Sequence, residues 1–167
     1  QHCAFYSPGS SSICYFTNDG GIYRTTNANA ASPTISRKDY NYNTTQFYGC
    51  AIHPTAGTNY FLAGAQDNGS HKFTTSGINT TTQASGGDGV FCHIDINNGN
   101  NQLTSYVYNN IYYSTNGGSS FTGLASDNTG SFVNPSDLDG INDILYSAKA
   151  ANQIQRWTNI FSGAPTK

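Results

Sequence analysis

The sequence predicts an all-β fold, and three observations lead to that prediction. The first is composition, because only 10% of the 167 residues are charged and 18 are Gly. The second is the scarcity of helix formers: the chain has no Met and no Glu, whereas its 12 Tyr and 9 Phe suit a pleated sheet. The third is a recurring pattern of short apolar segments separated by Gly, Asn and Pro turns.

These short segments recur in a fixed order, which indicates an internal repeat. Residues 21–27 resemble residues 110–116 and 153–159, and a weaker copy spans residues 69–75. The equivalent positions in these copies are Arg24, Lys72, Tyr113 and Arg156. Successive members of this set are 48, 41 and 43 residues apart. A period of about 42 residues is that of a four-stranded propeller blade.

We therefore predict one β-propeller segment over residues 1–167, with about four blades of four-stranded antiparallel sheets. It forms either part of a larger ring or a four-bladed ring. The approximate blades are residues 1–36, 37–82, 83–126 and 127–167. An open arc of blades would expose strand edges and apolar faces, so we expect self-association through those edges.

The four cysteines have neither a CxxC spacing nor a Cys/His spacing of the zinc type. Cys3, Cys50 and Cys92 recur at the repeat period, and we expect them to be small buried core residues with free thiols. The alternative is a disulfide bond between Cys3 and Cys14 within one hairpin.

Charge argues against two classes of partner. The formal net charge is −2, and the seven Lys and Arg residues are scattered, so no basic patch for nucleic acid or an anionic membrane is predicted. No apolar run approaches the roughly 18 residues that a membrane span needs, and we predict no membrane insertion. The chain begins without Met, directly in a predicted strand, which predicts a fragment of a longer polypeptide.

One turn segment resembles a known repeat motif. Residues 114–121, Ser-Thr-Asn-Gly-Gly-Ser-Ser-Phe, are similar to the Asp-box pattern Ser-x-Asp-x-Gly-x-Thr-Trp, with Asn, Ser and Phe in place of Asp, Thr and Trp. In this pattern a short polar side chain hydrogen-bonds the backbone of a tight hairpin, and Gly takes a positive φ. The motif is therefore expected to have a structural role.

Four further segments, in order, resemble the propellers of large secreted bacterial proteins described as glycosyl hydrolase-like, sortilin-type or BNR-repeat proteins. They are residues 18–24, 46–48, 65–69 and 86–89. The resemblance covers almost the whole chain and implies an extracellular or cell-surface location. Similar Asp-box propellers include sialidases, xyloglucan-cleaving endoglucanases and a photosystem II assembly factor, so the resemblance implies a fold rather than one activity.

The acidic residues limit the enzymatic alternatives. A sialidase of this fold needs a Glu, which the chain lacks, and three substrate-binding Arg, whereas two of its three Arg occupy repeat positions. The endoglucanases work with two Asp residues, one as general acid and one as base. Asp67 and Asp88 are the candidates here. The alternative is that both are turn formers, as is typical of Asp-Asn-Gly and Asp-Gly segments.

Candidate ligand-binding residues cluster around these Asp residues and two tyrosines. They are Gln66, Asp67, Asn68, Asp88, Tyr48 and Tyr108. Our first hypothesis is a non-catalytic binding or scaffold module for polysaccharide or protein in a larger secreted bacterial protein. The second is a fragment of a glycoside hydrolase that uses the Asp pair, and the third is a protein-assembly factor.

A last motif concerns metal binding. Asp137, Asp139 and Asp143 have the Asp-x-Asp-Gly-x-x-Asp spacing of several calcium loops. The first ligand position of the fuller motif falls on Pro135, whose side chain cannot serve as a ligand. The alternative is a solvated β-turn. The sequence predicts no cofactor besides this calcium ion.

Overall fold

The computed structural model describes residues 2–18, 20–42 and 44–167. Within these residues it contains fifteen β-strands and no helix, so no described helix could cross a membrane. The first eight strands are β1 Cys3–Tyr6, β2 Cys14–Asn18, β3 Gly21–Thr25, β4 Ile35–Arg37, β5 Phe47–Ile52, β6 Phe61–Ala65, β7 Gly69–Phe73 and β8 Thr82–Ser85. The remaining strands are β9 Cys92–Ile94, β10 Gln102–Ser105, β11 Ile111–Ser114, β12 Thr122–Ala125, β13 Ser136–Asp139, β14 Ile144–Ala150 and β15 Gln153–Trp157.

The strands form four antiparallel sheets, each made of consecutive strands. Strands β1–β4, β5–β8 and β9–β12 form four-stranded sheets, and β13–β15 form a three-stranded sheet. Each strand pairs with the next along the chain because short Gly- and Asn-rich turns connect them. This arrangement confirms the predicted all-β fold with antiparallel blades.

The fourth sheet has one strand fewer than the others among the described residues. After β15 the chain turns at Asn159, which has a φ of 55°. It then returns to form only a single bridge between Thr158 and Thr166. The side chain of Ile160 is fully buried and anchors this last segment to the core.

The chain divides into two compact units, Gln1–Thr44 and Thr45–Lys167. The first unit contains the β1–β4 sheet, in which the rings of Phe5 and Tyr15 stack with centroids 5.2 Å apart. The second unit contains the other three sheets. Its apolar core lies between the β9–β12 sheet and the β13–β15 sheet, and its buried members are Leu103, Ile111, Leu124, Leu145 and Ile160.

Glycines allow the β5–β8 sheet of the second unit to approach the segment that leads into strand β9 closely. A Cβ atom at Gly64 would overlap the carbonyl oxygen of Val90, and one at Gly89 would overlap the backbone of Gly69. Any side chain at either position would therefore push the two sheets apart.

The predicted burial of the repeated cysteines is wrong at two of three positions. Cys92 is 3% exposed because its strand β9 packs against the β5–β8 sheet, whereas Cys3 and Cys50 are exposed. All four thiols are free. A Cys3–Cys14 disulfide is not formed, because Cys3 pairs with Thr17, so the two cysteines lie at opposite ends of the β1–β2 hairpin.

The turn at residues 114–120 has the hydrogen bonding that its sequence predicts. Asn116 Oδ1 accepts hydrogen bonds of 3.1 Å from the amides of Ser119 and Ser120. Gly117 and Gly118 both have a positive φ. This turn begins with a hydrogen bond of 2.8 Å from the Ser114 hydroxyl to Asn116 Oδ1. The equivalent turn in the first unit begins in the same way, with a bond of 2.8 Å from the Thr25 hydroxyl to Asn27 Oδ1. Membership of the Asp-box family stays a prediction.

Candidate functional site

Two turns of the second unit meet at the candidate Asp residues. Residues 66–68 connect β6 to β7, and residues 86–91 connect β8 to β9. The amide of Asp67 donates a hydrogen bond of 2.9 Å to Asp88 Oδ1, and the amide of Gly89 donates one of 2.9 Å to the carbonyl oxygen of Ala65. The structure therefore brings the two candidate Asp residues together. Asp67 is exposed and Asp88 is half-buried.

Tyr48 is placed at the same end of the β5–β8 sheet. It lies in the irregular start of β5, where the pairing with β6 shifts between Phe47 and Gly49. The amide of Gln66 donates a hydrogen bond of 3.0 Å to the carbonyl oxygen of Gln46, so the start of β5 borders the turn at residues 66–68. Tyr48 is half-buried there.

Tyr108 lies in the corresponding turn of the next sheet, at residues 106–110 between β10 and β11. Its backbone has a φ of 61°, which is costly for a bulky residue. Its amide donates to the carbonyl oxygen of Phe132 at 3.0 Å, and its ring packs edge-on against the Phe132 ring at 5.8 Å. Phe132 is 51% exposed and was not identified from sequence, because nothing in its local pattern marks it.

The loop at residues 86–91 lies between these two turns. The ring of Tyr106 packs against Gly87, where a Cβ atom would collide with it. The amide of Val90 also donates a hydrogen bond of 3.0 Å to the carbonyl oxygen of Ser105. We call the turns at residues 66–68 and 106–110, together with the loop at residues 86–91, the turn face. Five of the six sequence-predicted ligand residues belong to it, and Tyr48 borders it.

Buried asparagines hold the second turn of the turn face. The side-chain amide of Asn109 donates to the carbonyl oxygen of Thr129 at 3.1 Å and to that of Ala148 at 2.8 Å. In return, Asn109 Oδ1 accepts a hydrogen bond of 2.8 Å from Asn134. Asn109 is fully buried, and Asn134 is 3% exposed. The network therefore ties this turn to the loop before β13 and to strand β14.

The first turn is held differently, by side chains from β7 and β8. The carbonyl oxygen of Asn68 lies 2.6 Å from His71 Nε2 and 3.3 Å from Gln83 Nε2. Neither residue was identified from sequence, because a His and a Gln separated by eleven residues form no recognisable motif. Only the pairing of β7 with β8 brings them to the same backbone atom.

An ion pair lies in the connection between β12 and β13. The Lys167 ammonium is 2.9 Å from Asp127 Oδ2, and Gln155 donates to the same oxygen at 2.8 Å. The hydrogen bond from Lys167, with those from the hydroxyl and amide of Thr129, lowers the pKa of Asp127 far below its usual value. Asp127 is therefore an ionised acceptor that joins Lys167 to this loop.

Of the predicted calcium ligands, Asp137 lies within β13, and Asp139 stabilises the turn that follows this strand. Asp139 Oδ1 accepts from the amides of Ile141 at 3.0 Å and Asn142 at 3.2 Å, and the side chain of Asn142, which donates to Oδ2, lowers the pKa of Asp139. Burial, and then the neighbouring carboxylate of Asp95, raise the pKa of Asp143. Across the described part of the chain, no three His, Cys or acidic side chains form a group that could hold a metal. The calcium site at Asp137, Asp139 and Asp143 and its alternative, a solvated turn, both stay predictions.

A groove of about 410 Å³ lies at the other end of the β5–β8 sheet. Its lining includes Ile52, Tyr60 and the stacked rings of Phe61 and Phe73, which are 4.2 Å apart. None of the sequence-predicted site residues lines it. We place the candidate site at the turn face rather than at this groove, because the groove brings together no titratable pair and no cluster of amides.

Comparisons with known proteins agree with the fold. No protein-family model matches the sequence, and no characterised protein matches it in sequence. Among solved structures, the chain is similar to the GH74 xyloglucanase from Xanthomonas campestris, with a TM-score of 0.58 and 16% identity over 98% of this chain and 25% of that enzyme. It is also similar to the GH74 enzyme from Niastella koreensis, with a TM-score of 0.56 and 24% identity over 98% of this chain and 29% of that one.

A third similar structure is that of an ancestral GH74 enzyme, with a TM-score of 0.53 and 17% identity over 95% of this chain and 22% of that enzyme. At these identities the likeness shows the fold alone. The chain spans about a quarter of the length of these enzymes. The class defined by fold and comparison is therefore a β-propeller segment similar to the propellers of GH74 glycoside hydrolases.

Proposed function

We propose that the chain is a non-catalytic binding segment of an extracellular or cell-surface β-propeller protein, and that it binds neutral polysaccharide through the turn face. The single observation that carries the proposal is the meeting of two turns at the hydrogen bond between the Asp67 amide and Asp88. That contact joins the turn that carries Gln66, Asp67 and Asn68 to the loop that carries Asp88.

The chemistry of the turn face suits sugars. Gln66 and Asn68 offer amide donors and acceptors, and the carboxylates of Asp67 and Asp88 accept hydrogen bonds from hydroxyl groups. Tyr108 adds an aromatic ring of the kind that packs against the apolar face of a sugar. The residues of the turn face include no Lys or Arg, so a neutral ligand fits it better than an anionic one.

The contact at Asp88 favours binding over catalysis. Its carboxylate already accepts a hydrogen bond from the backbone amide of a neighbouring turn, which is a structural role. A general acid in glycoside hydrolysis must instead hold a proton toward the scissile oxygen.

The test is binding of soluble xyloglucan to the full chain, measured by isothermal titration calorimetry. This probe is chosen because one similar structure is a xyloglucanase. We expect binding that Tyr108→Ala weakens about tenfold, in line with the loss of one aromatic contact. The matched control is Tyr40→Ala, which removes a 74% exposed Tyr from the first unit. Equal effects of both variants, or no binding to xyloglucan and other neutral glucans, would refute the proposal.

Hydrolysis is the second candidate function, because Asp67 and Asp88 lie in two turns that are joined by the hydrogen bond from the Asp67 amide to Asp88. Release of reducing ends from xyloglucan, lost in Asp88→Asn while binding is retained, would establish it. Binding without release in the wild-type chain would support the non-catalytic proposal. Binding of a protein and no glycan would instead support an assembly factor.

Light scattering on the same sample tests the proposed self-association.

A further inference from the structure

Two hairpins of the second unit carry the same irregularity at the same repeat position. The pairing of β7 with β8 shifts between Ser70 and His71, and that of β11 with β12 shifts between Ile111 and Tyr112. His71 and Tyr112 are equivalent, since each precedes one of the aligned repeat positions. The bulge is therefore a feature of the fold, whereas the side chains at the bulge differ between the two hairpins.

The side chains at the first bulge converge on one atom. The shifted register pairs His71 with Gln83, and both side chains reach the carbonyl oxygen of Asn68, at 2.6 Å and 3.3 Å. The equivalent pair at the second bulge is Tyr112 and Gly123. Because Gly123 has no side chain, the second hairpin cannot form the same pair of bonds. The fold alone therefore does not require the contact at Asn68.

The contacts of the His71 ring determine which nitrogen carries a proton. A carbonyl oxygen only accepts hydrogen bonds, so Nε2 is the protonated nitrogen that donates to Asn68. The other nitrogen, Nδ1, lies 2.7 Å from the Thr81 hydroxyl, which donates to it when the ring is neutral. The imidazole is thus oriented at both nitrogens, and Thr81 acts on Asn68 through His71.

We propose that His71 is a positioning residue that, with Gln83, fixes the turn at residues 66–68 in the conformation that binds polysaccharide. His71 and Gln83 donate hydrogen bonds to the carbonyl oxygen of Asn68, and Asp88 accepts one from the amide of Asp67. This leaves the side chains of Gln66 and Asn68 displayed from a turn with a fixed backbone. The inference rests on the proposed function.

The first experiment compares two isosteric substitutions of His71 by calorimetry with xyloglucan. Gln carries its amide nitrogen at the position of Nε2, whereas Asn carries it at the position of Nδ1. We expect His71→Gln to retain the affinity within about twofold and His71→Asn to weaken it about fivefold to tenfold, which is the value of one hydrogen bond. Equal affinities in the two variants would overturn the proposal.

A second pair of variants addresses the Thr81 contact. Thr81→Ser keeps the hydroxyl and should leave affinity unchanged, whereas Thr81→Val removes it and should weaken binding about twofold to fivefold. A loss of affinity in the Ser variant equal to that in the Val variant would contradict the orienting role of the hydroxyl.

A measurement without ligand separates failure of this inference from failure of the proposed function. The ¹⁵N shifts of the imidazole report the tautomer, and we expect the neutral ring to be protonated at Nε2. The amide shifts of Asp67, Asn68 and Gly69 should move in His71→Asn and move less in His71→Gln. A ring protonated at Nδ1 overturns the positioning role even if xyloglucan binds. Absence of binding with the Nε2 tautomer overturns the proposed function and makes the contact purely structural.

Discussion

The turn at residues 66–68 and the turn at residues 106–110 occupy the same position in successive repeats but are stabilised in opposite ways. Asp67 and Tyr108 are equivalent, and both have a left-handed backbone, with φ values of 59° and 61°. The first turn is held at its surface by Asp88, His71 and Gln83. The second is stabilised by the buried hydrogen bonds of Asn109 and Asn134. Two turns with the same backbone conformation are therefore stabilised by different contacts.

The contrast is sharpest at one pair of equivalent residues. Asn68 and Asn109 directly follow the two left-handed positions. Asn68 is exposed, and its side chain donates a hydrogen bond of 2.9 Å to the carbonyl oxygen of Gln66 in its own turn. Asn109 is fully buried, and its side chain bonds to Thr129 and Asn134 in the loop before β13 and to Ala148 in β14. Removing either side chain measures how much of each turn depends on the rest of the unit.

The largest effect is expected for Asn109→Ala. The substitution leaves the side chain of Asn134 and the carbonyl oxygen of Ala148 each without one partner in a buried site. We expect a loss of about 3 kcal/mol in the free energy of unfolding. Urea denaturation measures it, with Asn68→Ala as the matched control, which should change stability by less than about 0.5 kcal/mol. Similar losses in both variants would remove the distinction between the turns.

The second prediction concerns pH and the same buried junction. His93 Nε2 lies 2.9 Å from Ser136 Oγ, and this contact joins the sheets that Asn109 also ties together. Burial lowers the pKa of His93 to about 4, while the charge of Asp137 opposes that shift. Between a pH of about 6.5 and 4, the unfolded chain therefore binds a proton that the folded chain does not.

Stability should accordingly be complete above a pH of about 6.5 and fall as the pH decreases toward 4. Because His93 is only half-buried, the loss should be at most about 3 kcal/mol. Urea midpoints measured across this range provide the test. The His93→Gln variant should show a flatter profile, and a wild-type profile that is already flat would contradict the predicted burial effect.

A smaller effect is expected for Asp88→Ala, which acts on the first turn alone. The variant removes the acceptor of the Asp67 amide, and we expect a cost of about 1 kcal/mol. Hydrogen exchange of the Asp67 amide should become about fivefold faster. Exchange of the Asn109 amide, which donates to the carbonyl oxygen of Asp127, should not change. Faster exchange at both amides would show that the turns are coupled.

The smallest effect is expected for Tyr108→Asn. Asn adopts the left-handed backbone more readily than Tyr, which should recover about 1 kcal/mol. Loss of the ring contact with Phe132 costs a similar amount, so stability should change by less than about 1 kcal/mol. Asp67→Asn, which changes neither backbone preference nor packing, is the control. A large loss in Tyr108→Asn would show that ring packing dominates the backbone term.

Sequence reasoning recovered the parts of this molecule that depend on local pattern. Hairpins, turns and antiparallel sheets follow from alternating apolar residues and Gly or Asn positions, whereas no local pattern predicts the hydrogen bond from the Asp67 amide to Asp88. The burial of Asn109 could not be predicted, because its equivalent Asn68 has the same local sequence character and is exposed. The difference arises from the sheet that covers one turn.

The roles of His71 and Gln83 were hidden for a different reason. A β-bulge shifts their register by one residue, so strict alternation along β8 would have placed Ala84 opposite His71. The cysteines show the same dependence on tertiary context: Cys50 and Cys92 occupy one repeat position, yet only the second is covered by a neighbouring sheet.

That difference between cysteines gives the protein an internal reporter of sheet separation. Burial raises the pKa of the Cys92 thiol to about 12, and its sulfur lies 3.7 Å from the Ser70 hydroxyl of the adjoining sheet. Alkylating reagents attack thiolates, so Cys92 becomes reactive only when β9 separates from the β5–β8 sheet. Cys50, which is exposed, should be modified without any opening. The ratio of the alkylation rates of Cys92 and Cys50 in one sample therefore reports how often β9 separates from the β5–β8 sheet, and both thiols are native to the chain.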